Sequence, residues 1–424
     1  MIKKILYNLW HGKLQHVFTR LCLEKDMRRY KKYKVQTLLR IKKSKRIKIV
    51  FFPINIGMWK NDYLFEKFLA DPRFDPYVIS FFVPVDNIDY QRRNQDEMRE
   101  YFTAKGYPYY DMYNFEKKEW FDIELFQPDV VFYTQAVNVS YRQYNIQSLW
   151  KRTIFYYIPY CLLMENETKS DNTLLFNICM KVFAPSDYHK QSWSEFANGA
   201  KNVVVTGYPS FDYLIPSQPV LCAKWKCNDK RKRVIWAPHH SIRNVDSLSY
   251  SNFLEVADAM VLLAEKYQSK IEFVFKPHPR LRPKLEQFDG WGIERTQKYY
   301  QKWSEMPNSN FVDGDYFDLF LSSDAMIHDC STFMAEYLLT QKPVMFNLRD
   351  ESGMNLNDYA KCCYKQHYIG RNIKDIEFFL NDVVLGGNDE MRDRRIDFVE
   401  KELRAGRNEM VAERIFKEIK KDLA

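Results

Sequence analysis

Short runs of β-branched and aromatic residues alternate with helical stretches twice along this chain, and that rhythm limits its fold more than any other feature. From residue 46, strand patterns at 47–52, 77–83, 130–133, 153–157, 181–184 and 203–206 alternate with helical patterns at 62–70, 93–104, 142–150 and 187–197. The rhythm stops across 215–232, a stretch with Pro216, Pro219, Lys224, Lys226, Lys230, Arg231 and Lys232 that reads as a linker. It then resumes with strand patterns at 234–237, 271–276, 311–312, 325–328 and 343–346, and helical patterns at 252–267, 317–322, 332–341 and 373–383. Strands that alternate with helices need long crossovers and form parallel sheets covered on both faces. The expectation is therefore an α/β chain with a first domain over 46–215 and a second over 233–388. A charged helical segment, 389–424, follows.

Composition narrows the function. Hydrophobic residues make up 46% of 424, enough for two cores. The net charge of +9 is concentrated. Residues 1–48 carry a long series of Lys and Arg opposed only by Glu24 and Asp26, so the remainder is close to neutral. That argues against a general nucleic-acid binder, and no nucleic-acid motif is present. Eight cysteines without CxxC spacing read as reduced thiols of a cytoplasmic protein. No apolar run reaches the ~18 residues of a membrane span, and no signal-peptide pattern opens the chain. Residues 1–45 read instead as a basic helical extension. Ile2, Ile5, Leu6, Leu9, Trp10, Leu14, Val17 and Phe18 fall at helical spacing between lysines. Such a helix either lies on an anionic membrane surface or packs on the body of the protein.

The chemistry is expected in the loops after the strands, because ligands in open α/β sheets sit beyond the carboxyl ends. Those loops are polar here: Thr206-Gly207-Tyr208-Pro209 followed by Asp212; Ala237-Pro238-His239-His240-Ser241; Lys276-Pro277-His278-Pro279-Arg280; Asp313-Gly314-Asp315; and His328-Asp329-Cys330-Ser331-Thr332. Four of the eight histidines fall in them. Imidazole, guanidinium and hydroxyl groups at these points suit a diphosphate, which needs several donors and positive charge at close range. Ser331 and Thr332 open an apolar helix, where they serve either as phosphate donors or as ordinary N-caps. Glu336 lies one turn after Thr332 and reads either as a ribose acceptor or as an exposed helix carboxylate.

These loops, in this order, resemble the CDP-glycerol glycerophosphotransferase family of teichoic-acid synthesis. The resemblance rests on Gly207-Tyr208-Pro209-Ser210-Phe211-Asp212, Ala237-Pro238, Lys276-Pro277-His278-Pro279 and Asp329-Cys330-Ser331-Thr332, with a looser match at Trp59-Lys60-Asn61-Asp62 and 71–76. It implies a GT-B architecture, with two Rossmann-like domains and a cleft between them, and residues 389–424 crossing back toward the first. It implies a nucleotide donor held by the second domain, with His278 and Arg280 on the donor phosphates, Ser331 and Thr332 on phosphate oxygens and Glu336 near the ribose. Gly207, Pro238, Lys276 and Asp329 complete the expected donor site. No metal or other cofactor is expected. One motif departs from the pattern. The family's Trp-His-Gly, whose His is the general base, is replaced after the 153–157 strand by Ile158-Pro159-Tyr160-Cys161. Asp62, Tyr160 and Glu165 are the acceptor-side candidates for that role, and His239 and His240 are candidates from the other wall. The string Trp10-His11-Gly12 lies in the N-terminal helical pattern and reads as coincidence.

Three readings follow. In the first, an acceptor hydroxyl of a cell-envelope or capsular polymer, polyol phosphate or glycan, attacks CDP-glycerol or a related donor, and CMP leaves. The acceptor is lipid-linked or free, and the enzyme sits in the cytoplasm or on the inner face of the plasma membrane. In the second, the same fold transfers a sugar from a nucleotide-diphosphate donor. In the third, the chain binds nucleotide at the membrane surface without turnover.

Overall fold

The computed structural model describes all residues except 1–14, 83–86, 136–140, 167–171, 216–221, 228, 243–250, 351–353 and 405–408. Most of the 1–20 amphipathic pattern, Trp10-His11-Gly12 included, and part of the 215–232 linker lie outside the described residues. Two compact units emerge. The first comprises 1–162, 167–209 and 409–424, and the second 163–166 and 210–408. The chain thus passes between units at Pro209–Ser210 rather than at 215, and residues 389–408 stay with the second unit.

The first unit holds a parallel sheet built from β1 (Ile47–Phe52), β2 (Phe74–Ile79), β3 (Tyr109–Tyr110), β6 (Val130–Tyr133), β7 (Ile154–Tyr157), β8 (Lys181–Ala184) and β9 (Val203–Val205). A small antiparallel pair, β4 (Tyr113–Asn114) and β5 (Glu119–Trp120), stands apart. The main order is β3-β2-β1-β6-β7-β8-β9. Counted along the chain, that is the reversing order of a dinucleotide-binding fold, with its switch between β1 and β6. Aromatic residues fill one sheet face as a ladder. Phe51 stacks on Phe132 at 4.3 Å, Phe132 on Tyr156 at 5.2 Å and Tyr156 on Phe183 at 5.9 Å. Alternation along each strand puts them there, since residues two apart share a face. The helix Val411–Leu423 closes the unit: Phe416 packs on Phe68 and Phe74, and Lys181 pairs with Glu418 and Asp422.

The helix Gln15–Lys43 packs on this same unit. Tyr30 donates its hydroxyl hydrogen to the Thr153 carbonyl at 3.1 Å, and Arg40 pairs with Asp129 while reaching the Arg152 carbonyl at 2.9 Å. Its other side stays exposed, with Leu21, Arg28, Lys32, Val35, Leu39 and Lys42 at helical spacing. Strand β1 starts at Ile47, close to the expected end of the extension.

The second unit holds a second parallel sheet of β10 (Lys232–Ala237), β11 (Ile271–Phe275), β12 (Ser309–Phe311), β13 (Ala325–His328), β14 (Val344–Asn347) and β15 (Tyr368–Gly370), ordered β12-β11-β10-β13-β14-β15. The same reversal recurs, now between β10 and β13. Trp236 on β10 anchors the core beneath it, within 5.1–5.7 Å of the rings of Phe253, Phe275 and Trp303. The fold is the expected α/β class with two Rossmann-like units. Strand β15 and the helices Leu281–Glu286, Gly292–Glu305 and Asp358–Tyr364 were not anticipated. Among the described residues, no helix is long and apolar enough to cross a membrane.

Candidate functional site

The carboxyl ends of β10, β11, β12 and β13 lie side by side in the second sheet, so their loops share one edge. Backbone and side-chain bonds stitch them together. The His278 amide donates to the Pro238 carbonyl at 2.9 Å, joining the β11 and β10 loops. The Cys330 thiol reaches the Ala237 carbonyl at 3.3 Å, joining β13 to β10. Asp329 does more. Its buried carboxylate accepts from the His239 amide and, at 2.8 Å, from the Asn252 amide. Asn252 in turn donates its side-chain amide to Asn347 at the end of β14, at 3.0 Å. Burial pushes the Asp329 carboxyl up to about 7 against the downward pull of those amides. Asp329, expected to bind the donor, therefore spends its oxygens on loop geometry.

Three imidazoles converge at this edge. His239 and His240 lie 4.2 Å apart by ring centroid, and His278 lies 5.0 and 4.3 Å from them. One ligating nitrogen of each lies within 4.8 Å of the others. Burial first, then the neighbouring imidazoles, holds His239 well below the usual histidine range. The same causes, with Arg280, Lys276 and Lys284 adding to them, push His278 down to about 3. Both rings are neutral at pH 7. Arg280 begins the helix Leu281–Glu286, is exposed, and makes no ion pair among the described residues.

Lys276, at the end of β11, is buried and donates to the Gly314 carbonyl of the β12 loop at 2.8 Å. Its ammonium also lies 5.6 Å from the centroid of the Tyr316 ring. Desolvation lowers it to about 8 despite nearby Asp313 and Asp315. The Tyr316 hydroxyl donates to Glu336, whose carboxylate also accepts from Ser210. Glu336 is fully buried. The alternative of an exposed helix carboxylate is thus corrected: the residue is locked into a polar network beside the β12 loop.

Ser331 and Thr332 follow Asp329 and are half-buried. Thr332 has helical backbone angles and no side-chain capping bond, so the ordinary N-cap role is not played. The helix it opens is short, Phe333–Glu336, continued by a 3-10 turn over Tyr337–Thr340.

Gly207, Asp62 and Tyr160 belong to the first unit. Gly207 lies in the first unit with φ of +97°. A Cβ there would meet Val411 Cγ2 at 2.9 Å, so glycine is needed for close packing on the last helix. Asp62 is buried and accepts from Trp59 Nε1 at 2.9 Å and the Tyr101 hydroxyl at 2.8 Å, which makes it a structural acid. Tyr160 offers its carbonyl to the Tyr208 hydroxyl at 2.6 Å. Glu165, expected in the first domain, belongs to the second unit and bridges antiparallel to Leu356. Sequence reasoning missed Tyr316 and Asn252. Tyr316 directly follows the Asp313-Gly314-Asp315 loop, and that adjacency was the available signal.

Residues 163–421, more than half of the chain, match the family described as CDP-Glycerol:Poly(glycerophosphate) glycerophosphotransferase. The chain belongs to that family. The resemblance read from the strand-end loops is therefore correct, and the member is a transferase. No curated protein matches this sequence significantly. Among solved structures, a variant of the wall teichoic acid polymerase TagF is 14% identical, with a TM-score of 0.53 and 98% of each chain covered. MnaA of S. aureus in a co-structure with UDP is 15% identical, with a TM-score of 0.56, covering 89% of this chain and 96% of that one. UDP-GlcNAc 2-epimerase from Neisseria meningitidis bound to UDP-GlcNAc is 14% identical, with a TM-score of 0.55, covering 89% and 99%. At such identities the likeness establishes the fold.

Proposed function

We propose that this family member transfers glycerol phosphate from CDP-glycerol to a hydroxyl of a cell-envelope polymer. The acceptor oxygen forms a bond to the glycerol-side phosphorus, the bond from that phosphorus to the bridging oxygen breaks, and CMP leaves with that oxygen. The acceptor proton passes to a base. The carrying observation is the convergence of His239, His240 and His278 at the strand ends of the second unit, where Arg280 follows and Asp329 ties the neighbouring loops. Preorganised donors aimed at developing phosphoryl charge are usually the largest source of rate enhancement in such chemistry. In this reading His278, Arg280, Ser331 and Thr332 meet the diphosphate, Lys276 adds charge behind them, and Glu336 orients the ribose side through Tyr316.

Ile158-Pro159-Tyr160-Cys161, in place of the family's base motif, favours a second reading in which the transferred group is a different polyol phosphate or a sugar. A thermal-shift screen of CDP-, UDP- and GDP-linked donors separates the two, because a ligand that binds the native state raises stability by mass action. The first reading expects CDP-glycerol to give the largest shift. A larger shift with a UDP- or GDP-sugar rejects it.

The proposal includes a peripheral place on the cytoplasmic face of the membrane, next to a polyol-phosphate or glycan acceptor. Its support is the exposed basic face of the helix Gln15–Lys43, where Arg28, Lys32 and Lys42 alternate with exposed Leu21, Val35 and Leu39. Apolar burial and attraction to anionic headgroups act together on such a face. Salt-sensitive cosedimentation with anionic vesicles tests it, and no binding at low salt rejects it.

A further inference from the structure

Three strand ends repeat one local device. In His239-His240-Ser241, His278-Pro279-Arg280 and His328-Asp329-Cys330, the backbone amide two residues on donates to the histidine's Nδ1. The distances are 3.3 Å from Ser241, 3.1 Å from Arg280 and 3.2 Å from Cys330. A neutral imidazole has one nitrogen with a proton and one with a lone pair. An N–H aimed at Nδ1 selects the form whose lone pair is there, because the other form would set two N–H groups against each other.

We infer that these amides lock His239, His278 and His328 into the tautomer with the proton on Nε2, so that His278 meets the donor's phosphate oxygens as a hydrogen-bond donor rather than as a proton acceptor or metal ligand.

The surroundings of His239 and His278 agree. At His239 the Ser251 amide donates to Ser241 Oγ at 3.2 Å, which leaves the Ser241 hydroxyl hydrogen for His239 Nδ1 at 2.9 Å. That arrangement gives Nδ1 a second donor and agrees with a lone pair there. At His328 the neighbouring imidazole is His367, whose ring centroid is 5.2 Å away. His367 Nδ1 lies 3.0 Å from the Cys363 carbonyl, which can only accept, so His367 carries its proton on Nδ1 and a lone pair on Nε2. Both Nε2 atoms are buried without a hydrogen-bond partner among the described residues, so the His328 tautomer rests on the Cys330 amide alone. At His278, His240, Arg280, Lys276 and Lys284 all discourage a second proton.

Two consequences follow. Neither His239 nor His278 can take the acceptor's proton on Nε2 without first losing the bond to its own loop. The three-imidazole cluster is also a poor transition-metal site, although its nitrogens are close. A ligating imidazole normally donates its other N–H to a carbonyl or carboxylate, whereas in His239 and His278 that nitrogen is itself an acceptor.

The test uses the full chain labelled with 15N-histidine, unligated at pH 7.5, with signals assigned by their loss in H239Q, H278Q and H328Q. The expected spectra show Nδ1 unprotonated and Nε2 protonated for all three. A protonated Nδ1 or an imidazolium at His278 overturns the inference, as does stoichiometric zinc binding lost in H278Q. A second arm compares Arg280→Ala, which keeps the amide, with Arg280→Pro, which removes it. Arg280 has φ of −79°, within proline's range, but it is the third residue of the His278–Leu281 turn, where proline strains Pro279, so R280P is first checked for a native fold. R280A should keep the tautomer signature. R280P should lose it at His278 and bind CDP-glycerol roughly tenfold more weakly than R280A, the usual worth of one hydrogen bond to a charged group. If R280A and R280P share one tautomer pattern, the amide is not the lock. If R280P fails to fold, the wild-type spectrum decides alone. The affinity arm rests on the proposed donor reading, whereas the spectra do not, so either can fail without the other.

Discussion

The Tyr316 hydroxyl lies 3.0 and 2.9 Å from the two oxygens of the fully buried Glu336 carboxylate. One phenol thus serves an acid that has lost access to water, and the acid sits beside the loop held by Lys276. Tyr316→Phe leaves that carboxylate short of a donor. The expected cost is about 1–3 kcal/mol of stability, the penalty for a buried polar group losing its partner. Thermal unfolding checks this. The triple variant Tyr316→Phe, Glu336→Leu and Ser210→Ala should recover part of the loss, since removing the acid together with these donors is milder than removing one partner.

Lys276 predicts a pH profile. Desolvation lowers its ammonium to about 8, so the charge is lost as pH rises through that value. If the charge assists the donor phosphates, kcat/KM for CDP-glycerol falls above pH 8 in the wild type. Lys276→Met should be roughly tenfold or more slower at pH 7 and lack that alkaline limb, in line with the loss of one charged contact.

The buried histidines predict acid sensitivity. His367 is lowered to about 3 and His328 well below its usual range, both first by desolvation. Their folded values lie below the unfolded ~6.5. The unfolded chain therefore takes up protons first, and stability falls as pH drops below about 6.5 toward the folded values. Each such histidine contributes up to about 1.4 kcal/mol per pH unit in that window. The midpoint of thermal unfolding should drop between pH 7.5 and 5.5. The drop should be smaller in His367→Gln, although that variant starts from a lower midpoint.

Gly207 predicts a purely structural effect. Alanine would place its Cβ 2.9 Å from Val411 Cγ2 at a φ of +97°. Gly207→Ala should lower stability by about 1–3 kcal/mol. Val411→Ala should restore only part, because the backbone strain remains.

The sheets were legible because strands buried on both faces keep short, nearly continuous β-branched and aromatic runs. Phe51, Phe132 and Tyr156 announce their strands and then stack on one another. Short edge elements escaped, since Tyr368–Gly370 carries too few residues for any period to show. The clustering of histidines was visible as strand-end placement. What no linear pattern carries is who satisfies whom. Asp329 reads as a ligand residue by position, but its oxygens hold the His239 and Asn252 amides, partners 90 and 77 positions away. Glu336 reads either as a ribose acceptor or as an exposed carboxylate, and no linear pattern shows that Tyr316 and Ser210 enclose it.

The most direct measurement of the central claim is product analysis with CDP-glycerol and a polyol-phosphate acceptor, in wild type and His278→Ala. The account predicts one CMP released for each glycerol phosphate added to the acceptor. It also predicts loss of that turnover, by roughly a hundredfold or more, when the imidazole donor is removed. Unchanged CMP release in His278→Ala, or a wild-type enzyme that ignores CDP-glycerol and releases UDP or GDP from a nucleotide sugar, would contradict it.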